Sequence, residues 1–291
     1  MTRPPTAGAP TSLPTTAEAA ALRLVAVDLD GTLLGHGVSV DPRFWSLADR
    51  LEERGVQLCA ASGRQRHTLV EVFGGRLARM SLICDNGAFL EHRGQVLHAE
   101  VLGTEAVART VRGMRDLPGF ADRLAIAVSG PGTVLLETPS DAVAARAAGF
   151  FHSVVRVPDV LEGAADALKV SVYSADGVDA ALLEGLHRTA PGYAVVQGHD
   201  HWADVTGAGT DKGAALRRLQ LELGVTREQT AAFGDHLNDL GMLAAAGVSF
   251  AMGNAHPRAA AAARFRAPAN TEAGVVRVLE ELLDLMGPGT R

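Results

Sequence analysis

Four short stretches of this sequence carry residue types and spacings that could do chemistry. In DLDGT, residues 28–32, Asp28 and Asp30 stand two apart after the apolar run LRLVAV, and Gly31 permits a sharp turn. Two carboxylates crowded at a strand end repel, which favours a shared proton or a divalent cation between them. One can then serve as nucleophile or metal ligand while the other does acid–base work; a bare DxD reads first as a solvated acidic turn, whereas DxDGT following VAVDL at a strand end is much more specific. In SGR, residues 62–64, the Ser62 hydroxyl, the Gly63 amide and the helix that follows offer an anion cradle, or simply a helix N-cap. Lys212 in GTDKGAAL falls in the first turn of a predicted helix, where the helix dipole disfavours a cation. It reads as a compact charge aimed at a phosphate, or as a tolerated surface lysine. The stretch GAGTDKG has neither the GxGxxG spacing nor the Walker A order. GDHLND, residues 234–239, presents Asp235, Asn238 and Asp239 as oxygen donors. Hard oxygen ligands without cysteine or paired histidine favour Mg2+ over Zn2+.

The elements that must position these groups follow from periodicity. LRLVAVDLD (22–30), VQLCAAS (56–62) and SLICDNG (81–87) read as buried parallel strands, separated by helical patterns at 41–55 and 64–74. The rhythm changes between about 88 and 202, where AFLEHR, LAIAVS, TVLLET, KVSVYS and YAVVQG are shorter and alternating, with helical stretches at 104–116 and 177–189. It resumes with a helix at 210–224, a strand at 230–235, a helix at 236–247, strand candidates at 248–254 and 263–268, and a closing amphipathic helix at 272–286. This predicts an α/β domain, a parallel sheet flanked by helices, with an α+β domain of antiparallel strands inserted in it. All four motifs then fall at strand C-termini or the next helix start, and a parallel sheet gathers those ends at one edge.

Composition sets the outer bounds. The chain has 291 residues, enough for about two domains, and 47% are hydrophobic. With 27 basic and 33 acidic residues the net charge is −6, which disfavours electrostatic binding to nucleic acid or to an anionic membrane. Aromatic residues make up only 4% of the chain, against a base-stacking surface. No window approaches a membrane span. Lys169 and Lys212 are the only lysines; arginine is otherwise the default cation, so each lysine's position carries information. Cys59 and Cys84 each end an apolar run and read as reduced, buried thiols. Residues 1–20, rich in Pro, Thr and Ala, read as a flexible tail without a signal peptide's apolar stretch, and the expected location is cytoplasmic.

In combination and in order, DLDGT, SGR, the isolated Lys212 and GDHLND resemble the four motifs of the haloacid dehalogenase (HAD) superfamily phosphohydrolases, of the Cof-like type (subfamily IIB, C2-type cap). ICDNGA (83–88), AMGNA (251–255) and NTEAGVVRVLEEL (270–282) extend the likeness. The resemblance implies a Rossmann-like core at 21–87 and 203–291, with an α+β cap at 88–202. It further implies that Asp28 is the nucleophile, forming an aspartyl-phosphate, and that Asp30 is the acid–base group. Ser62 and Lys212 would neutralise the transferring phosphoryl. Mg2+ would be held by Asp28, the Asp30 carbonyl and Asp235, with Asp239 acting through water or orienting Lys212. Leu29, Gly63, Arg64 and Asn238 would complete the phosphate and substrate contacts, with Arg64 and Asn86 near the leaving group. The implied reaction is hydrolysis of a small phosphorylated metabolite, of the sugar phosphate or pyridoxal phosphate type. The alternatives are a phosphomutase or phosphotransferase on the same fold, and a non-catalytic sensor. Outside the motifs, HDH (199–201), His36 and His67 read as solvated histidines ahead of ligands, and Lys169 as either a cap-borne substrate contact or an edge-strand charge.

Overall fold

The computed structural model describes residues 13–35, 39–130, 132–151 and 153–287. The expectations for residues 1–12 and for His36 lie outside the described residues. The chain runs α1 (Thr16–Ala21), β1 (Leu24–Asp28), α2 (Pro42–Glu53), β2 (Gln57–Ala61), α3 (Arg66–Phe73), β3 (Ser81–Cys84), β4 (Phe89–His92) and β5 (Gln95–Ala99). There follow α4 (Thr104–Arg115), β6 (Leu124–Ser129), β7 (Val134–Glu137), α5 (Asp141–Ala148), β8 (Val154–Arg156), β9 (Lys169–Ser174), α6 (Ala180–Thr189), β10 (Ala194–His199) and β11 (Trp202–Thr206). The last part holds α7 (Lys212–Leu223), β12 (Thr230–Gly234), α8 (Leu240–Ala245), β13 (Val248–Ala251), α9 (Pro257–Ala262), β14 (Phe265–Arg266) and α10 (Gly274–Met286).

An eight-stranded sheet has the order β14-β13-β12-β1-β2-β3-β4-β5. It is parallel from β14 to β3, as the apolar runs require. Strand β1 is buried along its whole length. Val25 and Val27 face the layer that contains α2, α3 and α10, whereas Leu24 and Ala26 face α7 and α8. From β1 the chain winds outward through β2 and β3; after its return it winds the other way through β12, β13 and β14. The crevice at such a reversal lies at the C-terminal ends of the central strands, here β1 and β12. Asp28 and Asp235 stand at those two ends.

The second, six-stranded sheet has the order β10-β11-β9-β6-β7-β8. It is antiparallel except for the β7–β8 pair. One face packs on α4 and α6, and α5 covers part of the other.

Three expectations are corrected. AFLEHR was placed in the inserted domain, but β4 pairs antiparallel with β3 and β5 pairs with β4, so residues 89–99 extend the first sheet. The chain reverses there through Asp85, Asn86 and Gly87, all at positive φ. A short strand pattern says nothing about which sheet takes it. At the other boundary, Trp202–Thr206 hydrogen-bonds to β9 and β10, so the return to the first sheet falls after Thr206 rather than at 203. Finally, the end of the stretch read as a tail is a helix. Thr15 and Glu18 form a capping box for α1, Ala19 is buried, and Glu18 pairs with Arg264 at 2.8 Å.

The approach of α7 to α8 is set by glycine on both sides. A Cβ on Gly213 would lie 2.2 Å from the Gly241 carbonyl carbon. Alanine ordinarily stabilises a helix interior by about 1 kcal/mol over glycine, but here backbone meets backbone and cannot yield. Gly213→Ala is expected to lower stability by about 2 kcal/mol or more in urea denaturation. Gly75→Ala, where nothing lies within 4 Å, is expected to change it by less than about 0.5 kcal/mol.

Candidate active site

Strand β1 carries Asp28 into the crevice, and the turn that follows closes tightly: Thr32 and Leu34 N–H groups donate to the Leu29 carbonyl at 3.2 and 2.9 Å. Gly31 sits at φ +78°, and a Cβ there would lie 2.3 Å from the Asp235 carboxylate. The glycine therefore does two things: it makes the turn, and it lets the turn lie against β12's carboxylate. Leu29 is fully buried in the core, and its carbonyl is taken by the turn.

Lys212 opens α7 behind its N-cap Asp211, whose carboxylate accepts from the Gly213 and Ala214 N–H groups at 2.6 and 2.9 Å. The lysine is completely buried. Its Nζ donates to Asp28 Oδ1 at 2.6 Å and to Asp239 Oδ1 at 2.7 Å. The other Asp239 oxygen accepts from the N–H groups of Asp235 and His236 at 2.9 and 3.0 Å. Asp239 thus orients both Lys212 and the loop that bears Asp235. Asp235 accepts from the Thr32 hydroxyl at 3.2 Å, and Asn254 spans the Gly31 carbonyl (2.8 Å) and the Asp235 carboxylate (3.4 Å).

Charge does not balance in this cluster. Asp28, Asp235 and Asp239 offer carboxylate oxygens within 4.8 Å of one another, against the single ammonium of Lys212. Burial, together with the charges of Asp239 and Asp235, holds the Asp28 carboxyl well above its ordinary range despite Lys212. Burial and Asp239 push Asp235 up to about 6. Burial works against the charge on Lys212, yet the two carboxylates outweigh it and hold its pKa above the usual value. One buried oxygen, Asp28 Oδ2, has no hydrogen-bond partner. A hard divalent cation fits this donor set: it would occupy the open oxygen and cancel the surplus negative charge.

The remaining motif residues lie around this centre. Ser62, buried at the end of β2, accepts from the Arg64 N–H at 3.1 Å. Asp30 is gripped at two points by Arg64, with Nε to Oδ2 at 2.8 Å, and its charge still reaches Asp235. Asn238 donates to Asn86 Oδ1 at 3.1 Å, and Asn86 approaches Gly63 so closely that a Cβ there would lie 2.9 Å from its oxygen. His201 is tied to the Ser174 carbonyl at 2.8 Å and stacks on Tyr173, far from this centre in the fold.

Sequence reasoning passed over Thr32 and Asn254, although both lie in stretches it quoted, DLDGT and AMGNA. It left Lys169 between two readings; the edge-strand one is wrong, because β9 is internal to its sheet and Lys169 is buried. It missed Asp204 altogether, an acid inside the alternating strand WADVT that only the tertiary fold brings to Lys169 (3.3 Å).

A family model of haloacid dehalogenase-like hydrolases matches residues 25–279, and the chain belongs to that family. By class it is a phosphoric monoester hydrolase. It is 28% identical to the 5-amino-6-(5-phospho-D-ribitylamino)uracil phosphatase YbjI of Escherichia coli, over 92% of this chain and 98% of that one. It is 28% identical to an HMP-PP phosphatase of Escherichia fergusonii, over 81% of this chain and 86% of the other. The crystal structure of SMU.1108c from Streptococcus mutans superposes with a TM-score of 0.83 at 26% identity, covering 90% of this chain and 99% of that one. No described helix is long and apolar enough to cross a membrane.

Both oxygens of Asp239 accept from donors, so an amide, with only one acceptor, must face a donor with a donor. Asp239→Asn is expected to cost about 3 kcal/mol or more of unfolding free energy in urea with EDTA present.

Proposed function

We propose that the protein is a Mg2+-dependent phosphatase that hydrolyses a small phosphorylated metabolite through an aspartyl-phosphate on Asp28. The observation that carries this reading is the Asp28 carboxylate itself: one oxygen is held by the buried Lys212, the other is open, and a second carboxylate, Asp30, follows two residues on. Asp28, the Asp30 carbonyl and Asp235 would hold the ion, which would supply charge neutralisation for the phosphoryl oxygens.

In the first half-reaction an Asp28 oxygen forms a bond to phosphorus as the bond to the leaving oxygen breaks, and Asp30 gives that oxygen a proton. In the second, Asp30 takes a proton from water, the water oxygen bonds to phosphorus, and the acyl-phosphate bond breaks to return Asp28 and release phosphate. Lys212, the Ser62 hydroxyl and the Gly63 amide would face the phosphoryl oxygens, where charge accumulates in the transition state. Arg64, through its two-point contact, sets the direction of Asp30. Asn238 would reach the phosphate from the loop after β12. The second sheet would serve as a cap over residues 62–64 and 85–87, excluding water and selecting the leaving group.

The small-metabolite substrate, of the sugar phosphate or pyridoxal phosphate type, is supported by relatives named as phosphatases of 5-amino-6-(5-phospho-D-ribitylamino)uracil and of HMP-PP. The acidic net charge of −6 supports a small-molecule substrate over nucleic acid. Free, buried Cys59 and Cys84 support a reducing, cytoplasmic setting.

The test is inorganic phosphate release from sugar phosphates, pyridoxal phosphate, nucleotides and p-nitrophenyl phosphate, with Mg2+, with EDTA and with Asp28→Asn. Release that needs Mg2+ and vanishes in the folded variant is expected. Undiminished turnover by Asp28→Asn would overturn the nucleophile, and transfer without free phosphate would move the reading to a mutase or phosphotransferase.

A pH dependence follows from the same carboxylates. Asp28 and Asp235 bind protons more tightly than ordinary aspartates in the metal-free protein, and a metal must displace those protons. Mg2+ affinity, measured by titration calorimetry, is expected to weaken as pH falls from about 8 through about 6, with protons released on binding. A flat profile would contradict the assigned ligands.

A further inference from the structure

Where the second sheet meets the first, four polar side chains that the reaction does not use are buried together. Asp85, Asn86, Lys169 and Asp204 are each at most 6% exposed. Lys169 and Asp204 come from β9 and β11, on the sheet face that also carries Ser129 and Ser171, since Ser129 pairs with Lys169 and Ser171 with Asp204. Asp85 and Asn86 come from the turn after β3. Lys169 Nζ donates to the Gly63 carbonyl at 3.1 Å and to Asp204 Oδ2 at 3.3 Å, and lies 3.6 Å from Asp85. Ser171 donates to Asp204 Oδ1 at 2.6 Å. The Asn86 amide is used at both ends: its nitrogen donates to Asp204 at 3.1 Å, and its oxygen accepts from Asn238 at 3.1 Å.

Two features set this cluster apart from ordinary packing. The turn that presents it is strained, with Asp85 and Asn86 at φ +48° and +56°, where L residues are uncommon. It is held there by N–H donation from Asp85 to the Arg64 carbonyl (3.0 Å) and from Asn86 to the Ser62 carbonyl (3.1 Å). The turn is thereby locked to the SGR loop. The charge is also uneven, with two carboxylates to one ammonium, and burial pushes Asp85 up to about 7 even though Lys169 pulls it down. Desolvation of such a buried cluster offsets much of its internal attraction. An interface of that kind suits a contact that forms and parts better than a permanent one.

We propose that Lys169, through the Gly63 carbonyl, and Asp204, through the Asn86 amide, are the latch that holds the cap closed, and that Asn86 also transmits closure to Asn238 at the phosphate position. These are positioning residues; none touches the reacting atoms. The part of the proposal that concerns turnover rests on the phosphatase reading, whereas the latch itself is measured without it. Loss of the latch lowers the closed fraction, and an apparent affinity falls by that fraction. Lys169→Met is therefore expected to raise KM about tenfold while kcat changes less than about threefold. Asn86→Gly, which keeps the left-handed backbone but removes both Asp204's contact across the seam and the relay, is expected to lower kcat as well as to raise KM.

The direct readout is the distance between spin labels at Leu221→Cys on α7 and Val155→Cys on β8, both exposed, while Cys59 and Cys84 are buried. Wild-type background is expected to show one distance population, and Lys169→Met and Asp204→Asn a second, longer one. Asp85→Asn removes the surplus charge and is expected to keep the single population. Wild-type distances and KM in Lys169→Met would overturn the latch, as would opening in Asp85→Asn. Should Lys169→Met fail to fold, Asp204→Asn and Asp85→Asn decide by their opposite directions. Should no compound release phosphate, the reaction reading fails while the distances still decide the latch.

Discussion

A fully buried ammonium between two carboxylates is the constraint on which the rest of this structure depends. Lys212 at the first position of α7 is opposed by the helix dipole and by complete desolvation, and only the paired charges of Asp28 and Asp239 make it tolerable. Those carboxylates come from β1 and from the loop after β12, so the pair exists only if β1 and β12 are neighbours with their C-terminal ends level, as their register makes them. It also requires α7 to lie close to α8, which the Gly213–Gly241 contact allows, and Asp211 to cap the helix that points the lysine inward. The topology of the parallel sheet and the chemistry of the site are in this sense one requirement.

The same geometry explains why the core and its motifs were legible in the sequence. A strand buried on both faces must be apolar along its length, and the first polar residue after it necessarily emerges at the sheet edge. LVAVD, QLCAA and TAAFG each show this, and Asp28, Ser62 and Asp235 lie at or just past their ends. What was not legible depends on partners distant in the chain. The strand FLEH is buried at its first three positions without a clean alternation, and only the reversal at 85–87 sends it to β3 rather than to the second sheet. The short helix α1 becomes stable by packing Ala19 into the core and pairing Glu18 with Arg264, neither of which its Thr- and Ala-rich surroundings announce. Asp204 follows a tryptophan and an alanine in an unremarkable strand; its significance lies in Lys169, thirty-five residues earlier.

The two lysines tie these observations together. Each is buried and each stands among aspartates: Lys212 with Asp28 and Asp239, Lys169 with Asp204 and Asp85. None of the described arginines is itself buried: pairs with Asp41, Glu184 and Asp176 are exposed to water, and Arg66 and Arg115 reach the buried Glu91 and Glu137 from partly exposed positions. The division has a physical cause. A guanidinium carries five N–H donors in a rigid plane, and a sealed site must satisfy them all; an ammonium carries three on a flexible stem and leaves less to satisfy. Lys169 donates to one carbonyl and one carboxylate and lies 3.6 Å from a second carboxylate. In this chain both lysines occupy buried, carboxylate-lined positions.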